Sequence, residues 1–97
     1  MKFRFTARAR LEIERNDKWW RQHRSAAATL FLEELVQAVE RVLQHPGLGK
    51  TYPHSKHPGV LYVILPRTRR NLYYVVIEGE VVFVAVWGGQ RRRGPKV

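Results

Sequence analysis

The sequence feature that most limits the fold is a set of three apolar runs in the second half of the chain. The runs are VLYVILP from Val60, LYYVVIE from Leu72 and VVFVAVW from Val81. They are rich in β-branched and aromatic residues, and a tight Glu-Gly-Glu turn joins the last two, so we predict a meander of three strands. Each run is apolar at nearly every position, whereas a sheet with one solvated face alternates apolar and polar residues.

The first half of the chain predicts one short strand and two helices. KFRFT alternates apolar and basic residues, as a half-buried strand does. From Ala7 to about His23 no Gly or Pro interrupts, and one helical face carries Ala9, Ile13, Asn16 and Trp20. Ser25 is a suitable N-cap for a second helix that ends before Pro46. Glu33 and Glu34 fall mostly off its apolar stripe, which comprises Ala28, Phe31, Leu32, Leu35, Val39 and Val42.

These elements predict one α+β domain spanning all 97 residues. We expect two layers in the order β-α-α-β-β-β, with a helix hairpin packed on one face of an antiparallel sheet. The Pro- and Gly-rich loop from Pro46 to Gly59 is long for a small domain, so we expect it to be functional or to be attached to the core through Leu48 and Tyr52.

The second face of the predicted sheet has no helix to cover it. Our hypothesis is that a partner chain binds there, because a large apolar surface is rarely left exposed. This face carries residues of one strand parity, such as Tyr62, Ile64, Tyr73, Val75, Val82 and Val84, or their neighbours.

Charge and composition narrow the class of partner. Lys and Arg number 18 against 8 acidic residues, which gives a net charge of +10 and predicts an acidic or polyanionic partner. There is no cysteine, which excludes disulfides and a thiol nucleophile. Neither a signal-peptide pattern nor an 18-residue apolar run is present, so we expect a cytoplasmic protein that makes no use of a membrane.

Two arginine clusters are the strongest candidates for a binding site. Arg67, Arg69 and Arg70 lie within the turn PRTRRN between two strands, and a second cluster, Arg91 to Arg93 with Lys96, follows the last strand. The meander can bring both to one edge of the sheet. Guanidinium groups bind carboxylate and phosphate through planar, bidentate pairs. A solvated turn is the simpler interpretation of the first cluster taken alone.

Other chemistry is weakly supported. The four histidines, His23, His45, His54 and His57, have no ligand spacing for a closed metal site, and PGLGK lacks the context of a phosphate-binding loop. We therefore expect no metal and no cofactor. Of the two adjacent tryptophans, Trp20 lies on the helix stripe and is predicted to be core, whereas Trp19 is as well suited to a binding surface.

The order of these segments resembles the ParE branch of the RelE/ParE toxins of type II toxin–antitoxin modules. The resemblance is carried by WWRQHRSAAATLFLEEL, HPGLGKTY, LPRTRRNLYYVV and VVFVAVWGGQRRRGP, and it covers nearly the whole chain. It implies a toxin neutralised by a cognate antitoxin, which the charge predicts to be acidic. It also implies antitoxin contacts on the exposed apolar residues, which we assign to Leu11, Trp19, Tyr62, Ile64, Tyr73 and Val75.

Two targets are compatible with this resemblance. Ribonuclease-type relatives carry basic residues on the strand before the turn, an Arg before the next strand and a Tyr or His near the C-terminus. Here those positions hold Tyr62 and Ile64, then Asn71, and neither Tyr nor His follows Trp87. We therefore expect a non-catalytic toxin that binds DNA gyrase or another topoisomerase through Arg67, Arg69, Arg70, Trp87, Arg91, Arg92 and Arg93.

The alternatives stay open at this point. One is a ribosome-dependent mRNA endonuclease, with Arg67, Arg69, Arg70 and Arg91 as an arginine-based active site on ribosome-bound mRNA. Another is a basic nucleic-acid-binding module without toxicity. A homodimer and a hetero-oligomer with the antitoxin are both compatible with the sequence.

Overall fold

The chain folds into a five-stranded sheet with two helices on one face. The structure, a computed structural model, describes residues 1–88 and 94–97. In chain order the elements are β1 (Lys2–Phe5), α1 (Ala7–His23), a 3-10 turn (Ser25–Ala27), α2 (Leu30–Gln44), β2 (Lys50–Thr51), β3 (Leu61–Leu65), β4 (Arg70–Ile77) and β5 (Glu80–Gly88). The strand order is β1-β5-β4-β3-β2. This confirms the predicted α+β class. In the described part of the chain no helix has the length and apolar character needed to cross a membrane.

The sheet is mixed, and this corrects the prediction of a purely antiparallel sheet. Strands β3, β4 and β5 form the predicted antiparallel meander. Strand β1, however, pairs in parallel with β5, with Lys2 opposite Glu80 and Phe5 opposite Phe83. The two paired strands lie at opposite ends of the sequence, so no turn between them fixes their relative direction. Their relative direction is set instead by the path of the chain through the helices and strands that lie between them in the sequence.

The first helix has the predicted limits, whereas the second begins later. In α1 the Thr6 side chain accepts a hydrogen bond from the Ala9 amide and caps the first turn. Helix α2 begins at Leu30, and Ser25 starts a 3-10 turn rather than capping the helix. The indole of Trp20 donates to the Ala27 carbonyl at 2.7 Å. That carbonyl is therefore held by α1, which fixes the short connection between the two helices.

The main core lies between the helices and the sheet. Trp20 from α1 and Phe31, Leu35 and Val42 from α2 pack on the inward residues of the meander, among them Tyr74. The prediction that Trp20 is a core residue is thus confirmed. Phe5 stacks on Phe83 with ring centroids 4.8 Å apart, which joins β1 to the same core.

The second face of the sheet is covered largely by the chain itself. Tyr73 is 3% exposed and Val75 is 6% exposed, because Tyr52 and Val60 from the loop between β2 and β3 pack on them. Val97 packs against the same cluster, which also includes Val82 and the half-buried Tyr62 and Val84. The expectation that a partner must cover this face is therefore wrong for most of it. Ile64, which is 45% exposed, is the exception.

The last four residues are held against the loop that covers this face. The Tyr52 hydroxyl donates to the Pro95 carbonyl at 2.9 Å, and the Lys56 amide donates to the Val97 carbonyl at 2.7 Å. The Arg8 guanidinium of α1 donates to the Lys96 carbonyl. Consequently the C-terminal residues are fixed both to the covering loop and to α1.

Two tyrosines hold the loop that follows α2. Tyr52 is buried, as predicted, but Leu48 is exposed and does not anchor the loop. Tyr74 does so instead, because its hydroxyl donates to the Pro46 carbonyl and accepts from the Gly49 amide, each at 2.8 Å. A Cβ at Gly49 would lie 2.7 Å from that hydroxyl, so this approach requires glycine.

A buried carboxylate fixes the turn between β3 and β4. Glu34 is 7% exposed, and its two oxygens accept from the Arg67 amide at 2.9 Å and from the Thr68 amide and hydroxyl, each at 2.8 Å. The expectation that Glu34 lies off the buried stripe of α2 is therefore wrong. Its contact with the turn sets where the arginines of the turn lie relative to the helices.

We expect stability to decline at alkaline pH because of Tyr73 and Tyr74. Burial raises the pKa of both hydroxyls above the ordinary value of 10.0. Because the unfolded chain releases these protons at a lower pH than the folded chain, the free energy of unfolding is unaffected below about pH 10 and falls as pH rises above it. In a Tyr73→Phe/Tyr74→Phe variant, urea unfolding should show about 1–2 kcal/mol lower stability at pH 7 and a shallower alkaline decline. Equal declines in both proteins would contradict the assignment.

Replacing Glu34 with Gln should release the turn. The amide side chain has one acceptor oxygen instead of two and presents a donor to backbone amides, so donors in the turn lose their partner. Hydrogen bonds to charged groups are worth about 1.5–3 kcal/mol, and we expect a loss of about 2–3 kcal/mol in the free energy of unfolding. Glu40→Gln, exposed on the same helix, is the control and should change stability by less than about 0.5 kcal/mol. Similar losses in the two variants would refute the anchoring role.

Candidate functional site

An open groove lies at the end of the sheet where α1 meets the β3–β4 turn and the end of β5. Its volume is about 940 Å³. Its basic lining comes from α1 with its C-cap and from the β3–β4 turn, and comprises Arg15, Arg24, Arg67, Arg69 and Arg70. All three tryptophans of the protein, Trp19, Trp20 and Trp87, also line it. The groove therefore combines cationic and aromatic surface. We call it the arginine groove.

The β3–β4 turn directs two of these arginines outward. Thr68 is buried against Glu34, whereas Arg67 and Arg69 on either side of it are exposed. The turn is closed by a hydrogen bond of 2.8 Å from the Arg69 amide to the Leu65 carbonyl, and Arg69 has a positive φ of 57°. A non-glycine residue in this region is uncommon and costs free energy, so the surrounding contacts hold the turn in this shape.

Arg70 is held inside the groove rather than at its surface. Its Nε donates to the Asn16 side-chain oxygen at 2.9 Å, and a terminal nitrogen donates to the Thr68 carbonyl at 2.5 Å. Its guanidinium carbon lies 5.2 Å from the ring centre of Trp19 and 5.5 Å from that of Trp20, within the range of cation–π attraction. This side chain is therefore pre-organised, and its charge is fixed at the base of the groove.

Trp19 occupies the centre of an aromatic and cationic stack. The His23 imidazole lies parallel to it, with centroids 4.4 Å apart and an interplanar angle of 10°. The guanidinium carbon of Arg24 lies 5.5 Å from the same indole. Trp19 is nevertheless 39% exposed, so one part of the ring faces solvent.

Glu12 is the carboxylate that lines the groove, and its oxygens already have partners. One oxygen accepts from the Val86 amide of β5 at 3.0 Å. The other lies 3.4 Å from Nε of Arg8, outside the groove. Glu12 thus serves to fix α1 to the edge of β5, and the lining keeps a strong positive balance.

The predicted target-binding residues are brought together as far as the structure describes them. Arg67, Arg69, Arg70 and Trp87 line one groove, and Arg70 pairs in register with Gly88 at the end of β5. Arg91, Arg92 and Arg93 lie outside the described residues.

Sequence reasoning missed the contribution of α1 to the groove. Arg15 and Arg24 belong to the lining, and Asn16 orients Arg70. One signal was present, because Asn16 falls on the otherwise apolar buried stripe of α1, where a polar residue needs a partner.

The predicted antitoxin contacts differ in how far they are exposed. Leu11, Trp19 and Ile64 are at least 39% exposed and are available to a partner. Tyr73 and Val75 are buried beneath the chain's own loop, so they cannot form a surface in this structure. Tyr62 is half-buried at the edge of that cluster.

The lining favours binding over proton transfer. Arginine stays protonated at any ordinary pH, so it pairs with carboxylate or phosphate but does not act as a general base. Within residues 1–88 and 94–97 no group of three His, Cys, Asp or Glu side chains is placed to hold a metal ion. An anion is accordingly the ligand that suits this groove.

Comparisons with known proteins agree on the fold. The chain matches the chromosomal ParDE system of P. aeruginosa with a TM-score of 0.75 and 19% identity, covering 91% of this chain and 95% of that one. The intact RelBE toxin–antitoxin complex of E. coli gives a TM-score of 0.59 and 23% identity, covering 93% of this chain and 98% of that one. Isolated E. coli RelE gives a TM-score of 0.56 and 23% identity, covering 95% of this chain and 87% of that one. No curated protein sequence matches significantly.

The sequence also matches a family model. Residues 3–93 match the family described as the ParE toxin of the type II toxin–antitoxin system parDE. The match runs from β1 to beyond β5 and includes every element that lines the arginine groove. The chain therefore belongs to the ParE family and is the toxin component of a type II toxin–antitoxin system.

Proposed function

We propose that this toxin blocks replication by binding DNA gyrase or a related topoisomerase, with the arginine groove and the arginines after β5 as the contact. The observation that carries the proposal is the convergence of Arg67, Arg69 and Arg70 with Arg15 and Arg24 in one groove. Five arginines within one groove carry permanent positive charges that repel one another, and an anionic surface on a partner relieves that repulsion.

The composition of the groove supports binding rather than RNA cleavage. Among its described lining residues there is no His, Lys or Tyr, and the one carboxylate, Glu12, is engaged with Val86 and Arg8. In-line cleavage of RNA benefits from groups that accept and donate protons. Arginines alone stabilise charge, which suits a toxin that clamps a target.

An acidic antitoxin is the second partner in this proposal. The neighbouring folds belong to ParDE and RelBE, both toxin–antitoxin systems. The net charge of +10 favours an acidic partner, and a disordered acidic segment that folds on binding would supply carboxylates and apolar anchors together. We expect the adjacent reading frame to encode such a protein.

Two parallel assays test the target. The purified toxin should inhibit gyrase supercoiling and should produce no new 5′ ends within the translated mRNA in an in vitro translation reaction. Arg67→Gln/Arg69→Gln should weaken gyrase inhibition by at least about tenfold, which corresponds to about 1.4 kcal/mol. The control Arg10→Gln/Arg41→Gln removes the same charge from exposed helix positions and should have little effect. Cleaved mRNA with normal supercoiling would reject the proposal in favour of a ribosome-dependent endonuclease.

The arginines after β5 give a separate prediction. Replacing Arg91, Arg92 and Arg93 with alanine should abolish growth arrest on induction in cells. We expect these residues to act through the target and not through folding, so urea unfolding should be nearly unchanged. Growth arrest by a folded triple variant would show that these residues do not contact the target.

A further inference from the structure

The residues that follow the C-terminal arginine cluster are packed into the body of the protein. Pro95 is fully buried, and its carbonyl accepts a hydrogen bond of 2.9 Å from the hydroxyl of the buried Tyr52. The Val97 carbonyl accepts from the Ser55 hydroxyl and from the Lys56 amide, each at 2.7 Å. These hydrogen bonds fix the last four residues to the loop between β2 and β3.

Gly94 lies directly on the ring of Tyr52. A Cβ at this position would come within 2.8 Å of the ring carbons Cε1 and Cζ and would also clash with the hydroxyl, so only glycine fits. A Cβ at Gly47, in contrast, would meet no described atom within 4 Å. The Gly-Pro pair after the arginines therefore has a defined structural role, because the glycine packs on Tyr52 and the buried proline follows it.

Helix α1 holds the chain on both sides of the arginine cluster. Before the cluster, Glu12 accepts a hydrogen bond of 3.0 Å from the Val86 amide of β5. After it, Arg8 donates to the Lys96 carbonyl, and Arg8 is itself paired with Glu12 at 3.4 Å. The sequence places Arg91 to Arg93 between these two fixed segments.

We propose that Tyr52, Gly94 and Pro95 form a latch that positions Arg91 to Arg93 for contact with the target. The proposal rests on the proposed function, in which these arginines bind the target, and it adds positioning residues that do not touch the target themselves. A segment fixed at both ends samples fewer conformations than a tail fixed at one end. Less conformational entropy is therefore lost when its side chains bind, and the affinity rises.

Covering the second face of the sheet does not require the latch. The Tyr52 ring packs edge-on against Tyr73, with centroids 4.9 Å apart, and this contact buries the face through the ring alone. The Tyr52 hydroxyl, in contrast, bonds to the Pro95 carbonyl. Removing the hydroxyl therefore opens the latch and leaves the covering ring in place.

Limited digestion with trypsin tests whether the latch holds the segment that follows the arginines. Gly94→Ala places a methyl group against the ring, Tyr52→Phe removes the donor to the Pro95 carbonyl, and Gly47→Ala is the matched control. Relative to the control, mass spectrometry should show release of the C-terminal peptide at least about tenfold faster from Gly94→Ala and at least about threefold faster from Tyr52→Phe, because proteolysis needs a locally released chain. Cleavage after Arg41 in α2 should keep one rate in all variants. Equal release from Gly94→Ala and Gly47→Ala, or an equal acceleration after Arg41, would overturn the latch.

Growth arrest tests whether the latch acts through the arginines. The toxin level per cell needed for half-maximal arrest should rise at least about fivefold for Gly94→Ala and less than about twofold for Gly47→Ala. In an Arg92→Ala background the added effect of Gly94→Ala should be smaller, whereas in an Arg69→Gln background it should be unchanged, because residues that share one role are not additive. Full additivity of Gly94→Ala with Arg92→Ala would contradict the positioning role.

Failure of the target assignment can be told apart from failure of the latch. Growth arrest registers whichever target the toxin has, so a toxin that leaves gyrase supercoiling unaffected would reject gyrase without altering the results expected for Gly94→Ala. Trypsin digestion involves no target at all, and it decides directly whether Tyr52 and Gly94 hold the chain after the arginines.

Discussion

A sheet whose central strands are apolar on both faces has to be covered twice, and this constraint organises the molecule. The helix hairpin covers one face, with Phe31 and Trp20 at its centre. The other face is covered by Tyr52 and Val60 from the long loop and by Val97. Because the loop and the C-terminal residues are joined through the Tyr52 hydroxyl and the Pro95 carbonyl, they cover the face as a unit. The protein thereby buries a second core beneath a loop and its C-terminal residues.

The sequence predicted those parts of the fold that depend on local pattern. Strand alternation and helix periodicity extend over neighbouring residues, so the meander and the limits of α1 followed from them. The parallel pairing of β1 with β5 and the coverage of the second face depend on residues that are far apart in the chain, such as Lys2 with Glu80 and Tyr52 with Pro95. Local pattern contains no information on such contacts. An apolar strand face indicates that something covers it but does not indicate what.

The candidate site was predictable to the same degree. Three arginines within four residues of a turn pointed to Arg67, Arg69 and Arg70, and the structure places them in one groove. What orders the groove is a pair of polar residues on buried helix faces, Glu34 and Asn16. Both interrupt an apolar stripe, and a buried polar group without a partner is costly. Such interruptions therefore indicate a long-range contact, although its partner emerges only from the fold.

Glu34 and Glu12 show how the protein places positive charge without neutralising it. Each carboxylate accepts hydrogen bonds from backbone amides, of Thr68 and Val86 respectively, and so holds the backbone around the groove in place. Between described residues, the ion pair that Glu12 forms is with Arg8, which does not line the groove. The acidic residues thus supply structure while the arginines keep their capacity for an external anion. The repulsion left among those arginines is a free energy that an anionic ligand of the groove recovers on binding.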